Sequence, residues 1–292
     1  MELKVSPVEF REACERARSA GSTVGLVPTM GSLHQGHARL IKQAKAECGF
    51  VAVSIFVNPL QFDSPGDLEA YPRALERDRA IAQSLGCDLV FAPAEDEMYP
   101  RGEPVISVDP GPLGTRLEGA SRPGHFRGVL TIVAKLLNLT GPCRAYFGEK
   151  DAQQLALVRR MVVDLDFPVA VVAGPTVREI DGLALSSRNS RLSTEQRAAA
   201  TVLFNALSTA AAMVRQGERR SAVIRAEMAK RIGAEPVARL DYVTVVDDGT
   251  WEEVENIDGP ARALVAARFG ETRLIDNLPL PWEATTGAEG SG

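Results

Sequence analysis

Between Thr23 and Val172 short apolar runs alternate with stretches whose apolar positions recur at helical spacing, which is the pattern of βαβ units in a parallel sheet. The runs TVGLVP (23–28), FVAVSIFV (50–57), DLVFAP (88–93), RAYFG (144–148) and PVAVV (168–172) predict five strands. Between them His37, Leu40, Ile41, Ala44 and Cys48 share one helical face, as do Leu75, Asp78, Ala82 and Leu85 ahead of Gly86. Val129, Ile132, Val133, Leu136 and Leu137 form a further stripe, and Ala152, Leu155, Val158 and Val162 another; each can cover a sheet. The expected class is therefore α/β with a doubly wound parallel sheet. In such sheets ligands bind beyond the carboxyl ends of the strands, so chemistry is sought in the segments that follow each strand.

The alternation breaks over residues 94–127, where five prolines and five glycines predict an insertion too long for a plain connection. After Asn189, Ser193 and Gln196 form a capping box ahead of an alanine-rich stretch, predicting one long helix that stops at Gly217 and a second that ends at Gly233. LDYVTVVD (240–247), ARALVAARF (261–269) and TRLIDNL (272–278) predict three strands, the latter two joined as a hairpin around Gly270. The expected organisation is a Rossmann-like domain over 1–175, a small α+β domain over 176–283 and a disordered tail over 284–292.

Composition narrows the function. Of 292 residues 45% are apolar, enough for a sizeable core, and 33 Lys and Arg against 38 Asp and Glu leave a net charge of −5. No global positive field is present to hold a nucleic-acid backbone, so any anion site is local. Charges scattered through the first twenty residues and the lack of a run of about 18 apolar residues predict neither signal peptide nor membrane span, hence a cytoplasmic protein. Cys14, Cys48, Cys87 and Cys143 are spread singly and are expected to be buried thiols.

PTMGSLHQGH (28–37) follows the first strand and opens a helix, so its backbone N–H groups and the helix dipole are expected to face an anion. His34 and His37 share a face, with Gly36 between them leaving room for a ligand. Alone, such a pair is equally a polar helix start. Three other segments weigh against that reading. Ser186, Ser187 and Arg188 combine hydroxyls with a guanidinium, suited to a polyphosphate or to an interdomain hinge. FGEKDAQQL (147–155) offers Gly148 for a turn, Lys150 as a mobile charge and Asp151 at a helix start, where an ordinary Asp cap is the alternative. VNPLQF (57–62) supplies Asn58 and Gln61 to orient a small polar substrate.

With RPGHFRGV (122–129) and REIDGLALSSRN (178–189), these segments taken in order resemble the bacterial pantothenate synthetase family, ATP-dependent pantoate and β-alanine ligases of the H-x-G-H nucleotidyltransferase superfamily, over about residues 1–280. The resemblance implies an ATP site lined by Met30, Gly31, Ser32, Leu33, His34, Gln35, Gly36 and His37, with both histidines at the reacting phosphate. It also assigns Gly148, Glu149, Lys150, Asp151, Val177, Leu185, Ser186, Ser187 and Arg188 to adenosine and phosphates, with Lys150 and Arg188 compensating charge on the departing pyrophosphate. Gln61 and Gln154 are implied pantoate ligands, Gln61 also facing β-alanine; Asn58 supports them, and Arg122 and His125 lie near. Mg2+ is implied with ATP, Asp78 being a candidate contact, and so is a homodimer that binds no nucleic acid and no membrane. The implied reaction joins pantoate to β-alanine through a pantoyl adenylate. Rival readings are a dinucleotide-forming nucleotidyltransferase, an aminoacyl-tRNA synthetase relative, a nucleotide sensor without catalysis, and a zinc hydrolase using His34, His37 and His125.

Overall fold

A computed structural model describes residues 1–63 and 65–282; the expected tail lies outside the described residues. The chain divides into two compact units, Met1–Val177 and Arg178 onward.

The first unit runs β1 (Glu2–Lys4), α1 (Pro7–Ser19), β2 (Val24–Thr29), α2 (Gln35–Glu47), β3 (Phe50–Ile55), α3 (Pro65–Glu69), α4 (Leu75–Ser84), β4 (Leu89–Phe91), α5 (Glu95–Met98), α6 (Glu118–Ser121), α7 (His125–Thr140), β5 (Cys143–Gly148), α8 (Ala152–Asp164) and β6 (Val169–Gly174). Its six strands are all parallel, in the order β1-β4-β3-β2-β5-β6. The period of two along each strand sorts side chains onto opposite faces. Leu26, Ala52, Phe91 and Ala145 pack with Phe10 of α1, Val129 and Val133 of α7 and Val158 of α8. Val27, Val53, Val90 and Tyr146 pack with Leu40 and Ile41 of α2 and Ala82 of α4. Both faces are covered, as a parallel sheet requires.

The sequence pattern missed β1 and α1. β1 is a short edge strand with charged residues at both ends, and pairing with Leu89–Phe91 rather than hydrophobic content makes it a strand. α1 has Pro7 in its first turn and buries Phe10, Ala13 and Cys14, an i, i+3, i+4 set; Phe10 stacks on Phe91 with ring centroids 4.3 Å apart. The 94–127 insertion contains only the single turns α5 and α6, one short 3₁₀ segment over 112–115 and the start of α7. All four cysteines are buried and unpaired.

In the second unit the alanine-rich stretch forms two helices, α9 (Thr194–Ala199) and α10 (Val202–Arg215), where one was expected. At the break Thr201 turns its hydroxyl back onto Ala198 O at 2.8 Å, and Leu203 N bonds Ala200 O, tightening the turn. Thr194–Arg215 is long and apolar enough to cross a membrane by composition, but Leu203, Leu207, Ala210 and Val214 line the unit's own core. α11 (Ser221–Gly233) and the antiparallel strands β7 (Ala238–Asp247), β8 (Ala261–Phe269) and β9 (Thr272–Pro279) complete it. β8 and β9 turn at Gly270, whose φ of +59° suits glycine.

Candidate active site

Parallel register sets the level of the strand ends. Thr29 pairs with Ile55, and Leu26 pairs with Ala145, which places Thr29 level with Gly148 three residues on. The segments after β2, β3 and β5 thus start from one edge of the sheet.

The loop from Met30 to His34 makes a left-handed turn, with φ +80° at Gly31 and +52° at Ser32. It is tied down at almost every backbone donor. Gly31 N bonds Thr29 Oγ1 at 3.0 Å, Ser32 N bonds Asp78 Oδ2 at 2.7 Å and Leu33 N bonds Asp78 Oδ1 at 2.8 Å. His34 N donates to His37 Nδ1 at 3.3 Å and Gly36 N to His34 Nδ1 at 3.1 Å. These N–H groups therefore do not face a ligand, contrary to the expectation from sequence. What the loop presents instead is the pair of rings, with centroids 4.1 Å apart. Each Nδ1 accepts a backbone proton, so in the neutral ring the remaining proton sits on Nε2. Burial, then the Lys150 charge, lowers the His34 pKa. Burial, then His34, pushes His37 down to about 3. Both rings are neutral Nε2–H donors near pH 7.

Gly36 has a different reason from the one expected. A Cβ there would lie 2.8 Å from His34 Cε1, so the missing side chain makes room for a ring and not for a ligand. Leu33 sits in the core among Val27 and Ile41, and its N–H is taken up by Asp78, so it offers a ligand neither side chain nor donor. Asp78, the candidate Mg2+ contact, uses both carboxylate oxygens on the loop.

Asn58 is buried and fully engaged. Its Nδ2 bonds Gln61 Oε1 and Gly128 O, each at 3.1 Å, and its Oδ1 accepts from the Tyr99 hydroxyl at 2.8 Å. Gln61 Nε2 lies 2.9 Å from Met30 Sδ, joining the segment after β3 to the loop after β2. Arg122 and His125 both grip the Gln61 carbonyl, at 3.0 Å from Nη2 and 2.8 Å from Nδ1. Arg122 can only donate, so its 3.0 Å contact from Nη1 makes His125 Nε2 the acceptor and puts the ring proton on Nδ1, the opposite tautomer to His34 and His37. Burial and then the Arg122 charge push His125 down to about 4. Arg122 Nε is anchored in turn on Asp63 at 2.7 Å. With both nitrogens occupied, His125 cannot complete a three-histidine zinc site, and no group of three or more metal-ligating side chains occurs among the described residues.

Lys150 lies 3.6 Å from Asp151, and both act electrostatically on His34. Asp151 stands before α8 without capping it through its side chain, so the plain Asp-capped turn is not what forms, and Gly148, expected to serve the turn, has an ordinary φ of −78°. The space over Gly148 is open, with no atom within 4 Å of a Cβ placed there. Glu149 begins the same 3₁₀ turn. Gln153 is a strut whose side chain bonds Glu118 N, Leu113 O and Arg116 O, whereas the side chain of its neighbour Gln154 makes no hydrogen bond among the described residues. Gln35 is exposed at the start of α2.

Val177 ends the first unit, and Leu185–Arg188 belong to the second. There Ser186 Oγ accepts from Arg188 N at 3.2 Å, and Asn189 Nδ2 bonds Ala184 O at 3.0 Å, shaping a 3₁₀ turn over Ser187–Arg191.

Sequence reasoning missed Gly128 and Tyr99. A Cβ on Gly128 would fall 2.1 Å from Leu60 O, so α7 carries glycine where the 59–61 turn rests on it. The only sequence signal was its place in RPGHFRGV.

The family model described as Pantoate-beta-alanine ligase matches residues 4–279. A pantothenate synthetase from Rubrobacter xylanophilus is 52% identical, across 94% of this chain and 97% of its own length. The crystal structure of pantothenate synthetase from Thermus thermophilus superposes with a TM-score of 0.90 at 50% identity, covering 96% of this chain and 100% of that one. The pantoate-beta-alanine ligase from Francisella tularensis, solved with a β,γ ATP ligand and β-alanine, is 34% identical with a TM-score of 0.77, covering 96% of this chain and 97% of that one.

Proposed function

The chain belongs to the pantoate–β-alanine ligase family, and from that premise we propose that it joins pantoate to β-alanine in two steps at the edge built by His34, Gln61 and Lys150. As a ligase it forms the amide of pantothenate. In the proposed first step the pantoate carboxylate attacks the α-phosphorus of MgATP, giving pantoyl adenylate and pyrophosphate. The β-alanine amine then displaces AMP. No side chain has to act as nucleophile.

The observation that carries this reading is the locked imidazole pair. Donors fixed before the reaction, aimed where charge develops, lower a barrier more than groups that must first reorient. His34 and His37 are neutral donors held by their own backbone, and the Lys150 ammonium stands within electrostatic reach. We assign Met30 to His37, Gly148 to Asp151, Val177 and Leu185 to Arg188 to ATP, with Leu33 contributing only as loop backbone. Lys150 and Arg188 balance the pyrophosphate. Gln61 and the unengaged amide of Gln154 are assigned to pantoate, Gln61 also to β-alanine. Asn58, Arg122 and His125 act by fixing Gln61.

Mg2+ enters as part of the nucleotide substrate: it binds phosphate oxygens and keeps several waters, so it needs few protein ligands, and Asp78 is already committed to the loop. Four unpaired buried thiols suit a reducing cytoplasm. A homodimer is supported by the open edge of β6 beside the exposed Val163 and Leu165, and sedimentation tests it. The function itself is tested by incubating the protein with ATP, Mg2+, pantoate and β-alanine, omitting each in turn, and identifying every product by mass. Pantothenate and AMP are expected only with all four, pyrophosphate already with ATP, Mg2+ and pantoate; ADP and phosphate would overturn the adenylate route.

A further inference from the structure

We infer that Asp78 is a positioning residue for the first half of the reaction: its carboxylate holds the backbone of Ser32 and Leu33 in the left-handed turn that presents His34 and His37. Asp78 is almost fully buried on the first turn of α4, where the helix N-terminus favours an anion. It reaches a loop more than forty residues away in sequence with one oxygen on each of two successive N–H groups, at 2.7 and 2.8 Å. Charge-assisted bonds of this length are among the stronger ones.

The turn needs such a tie. Ser32 has φ +52°, a region that side-chain-bearing residues enter only when the surroundings enforce it. Gly31 is glycine for a steric reason as well as for its φ of +80°, since a Cβ there would lie 2.8 Å from Asp78 Oδ2. Carboxylate, glycine and strained serine form one interlocking piece, and His34 caps α2 directly from its end. Without the tie Ser32 relaxes towards ordinary φ, and the two rings lose their common aim. Gln61 is held by Asn58, and its carbonyl by Arg122 and His125, none of them part of the turn, so the damage falls on the step at phosphorus.

This inference rests on the two-step reading. The test uses the full chain with Asp78→Asn, Asp78→Glu and a control, Asp88→Asn. Asp88 also accepts a backbone N–H, from Val51 at 2.8 Å, but at the opposite ends of the strands. In Asp78→Asn the amide nitrogen faces one N–H and that bond is lost. Pyrophosphate release with ATP and pantoate alone is expected to fall ten-fold or more. KM for β-alanine, amide formation from added pantoyl adenylate and the half-saturating Mg2+ concentration are expected to stay within two-fold. Should Asp78→Asn fail to fold, Asp78→Glu carries the same expectation. Pyrophosphate release within two-fold of the parent overturns the inference, as does a parallel loss in both half-reactions. A ten-fold rise in the Mg2+ requirement also overturns it, by making Asp78 a metal contact. If the parent releases no pyrophosphate without β-alanine, the two-step reading fails by itself. The inference is then judged on kcat for pantothenate formation, which must still fall ten-fold at unchanged β-alanine KM, with Asp88→Asn unaffected.

Discussion

The loop after β2 and the 184–191 segment of the second unit both carry polar groups assigned to phosphate, yet they are fixed in opposite ways. The first is pinned from a distance, by Asp78 from α4 and by a backbone made to serve its own two imidazoles. The second is shaped locally, by Ser186 on Arg188, Asn189 on Ala184 and Ser190 on Ser187, all within five residues. Long-range ties cost chain entropy during folding but leave little to reorganise when a transition state forms. A local turn takes its shape from its own short stretch of chain. The difference separates groups prepared by the fold around them from groups shaped by their neighbours in sequence.

The largest effect should come from the prepared rings. His34→Ala and His37→Ala are each expected to lower adenylate formation by roughly 10²–10³-fold, the scale of losing one preorganised donor, while ATP affinity changes only a few-fold. Single-turnover pyrophosphate release and equilibrium nucleotide binding check this. A matching loss from Ser186→Ala would erase the distinction between the two regions.

Gly128→Ala comes next. The added methyl cannot fit 2.1 Å from Leu60 O, so the 59–61 turn must move and carry Gln61 with it. We expect KM for pantoate to rise about ten-fold or more, with the melting temperature also falling, through the roughly 1–3 kcal/mol typical of overpacking. An unchanged KM would show that Gln61 tolerates displacement of its own backbone.

A pH series sharpens the comparison further, because all three histidines lie in the first unit. In the folded state His37 titrates at about 3 and His125 at about 4, with His34 also lowered, against 6.5 for the free side chain. Below pH 6.5 the unfolded chain takes up protons that the folded chain refuses. Stability is therefore whole above that value, falls as pH drops and levels off near the folded values. The melting temperature should decline across this window, and His125→Gln should flatten part of the slope. Since the rings stay neutral in the folded protein, turnover should show no acid limb at 6.5 from these groups.

The sequence disclosed the sheet better than it disclosed the site. Periodicity located β2 to β6, and the capping box at Ser193, because side-chain character alone makes those elements. It could not show which donors were already used. Gly36 reads as room for a ligand and proves to be room for His34, Gln153 and Gln154 differ only in what they touch, and Arg122 and His125 grip Gln61. Hydrogen bonds that link residues some sixty positions apart, as Arg122 to Gln61 does, leave no local pattern to read.

Ser193→Ala gives the smallest expected effect and probes the local region from its flank. Ser193 Oγ accepts from Gln196 N at 3.2 Å, and its N–H returns to Gln196 Oε1 at 3.1 Å, closing the start of α9 two residues beyond the Ser187–Arg191 turn. Removing the hydroxyl should cost about 1 kcal/mol, the usual loss for a serine cap, seen as a melting shift of a few degrees. The turn's own bonds lie at Ser186, Asn189 and Ser190 and do not involve the cap. Turnover at 25 °C should therefore be unchanged. If it fell out of proportion to the folded fraction, the turn would depend on the helix behind it, and the local character ascribed to this region would be wrong.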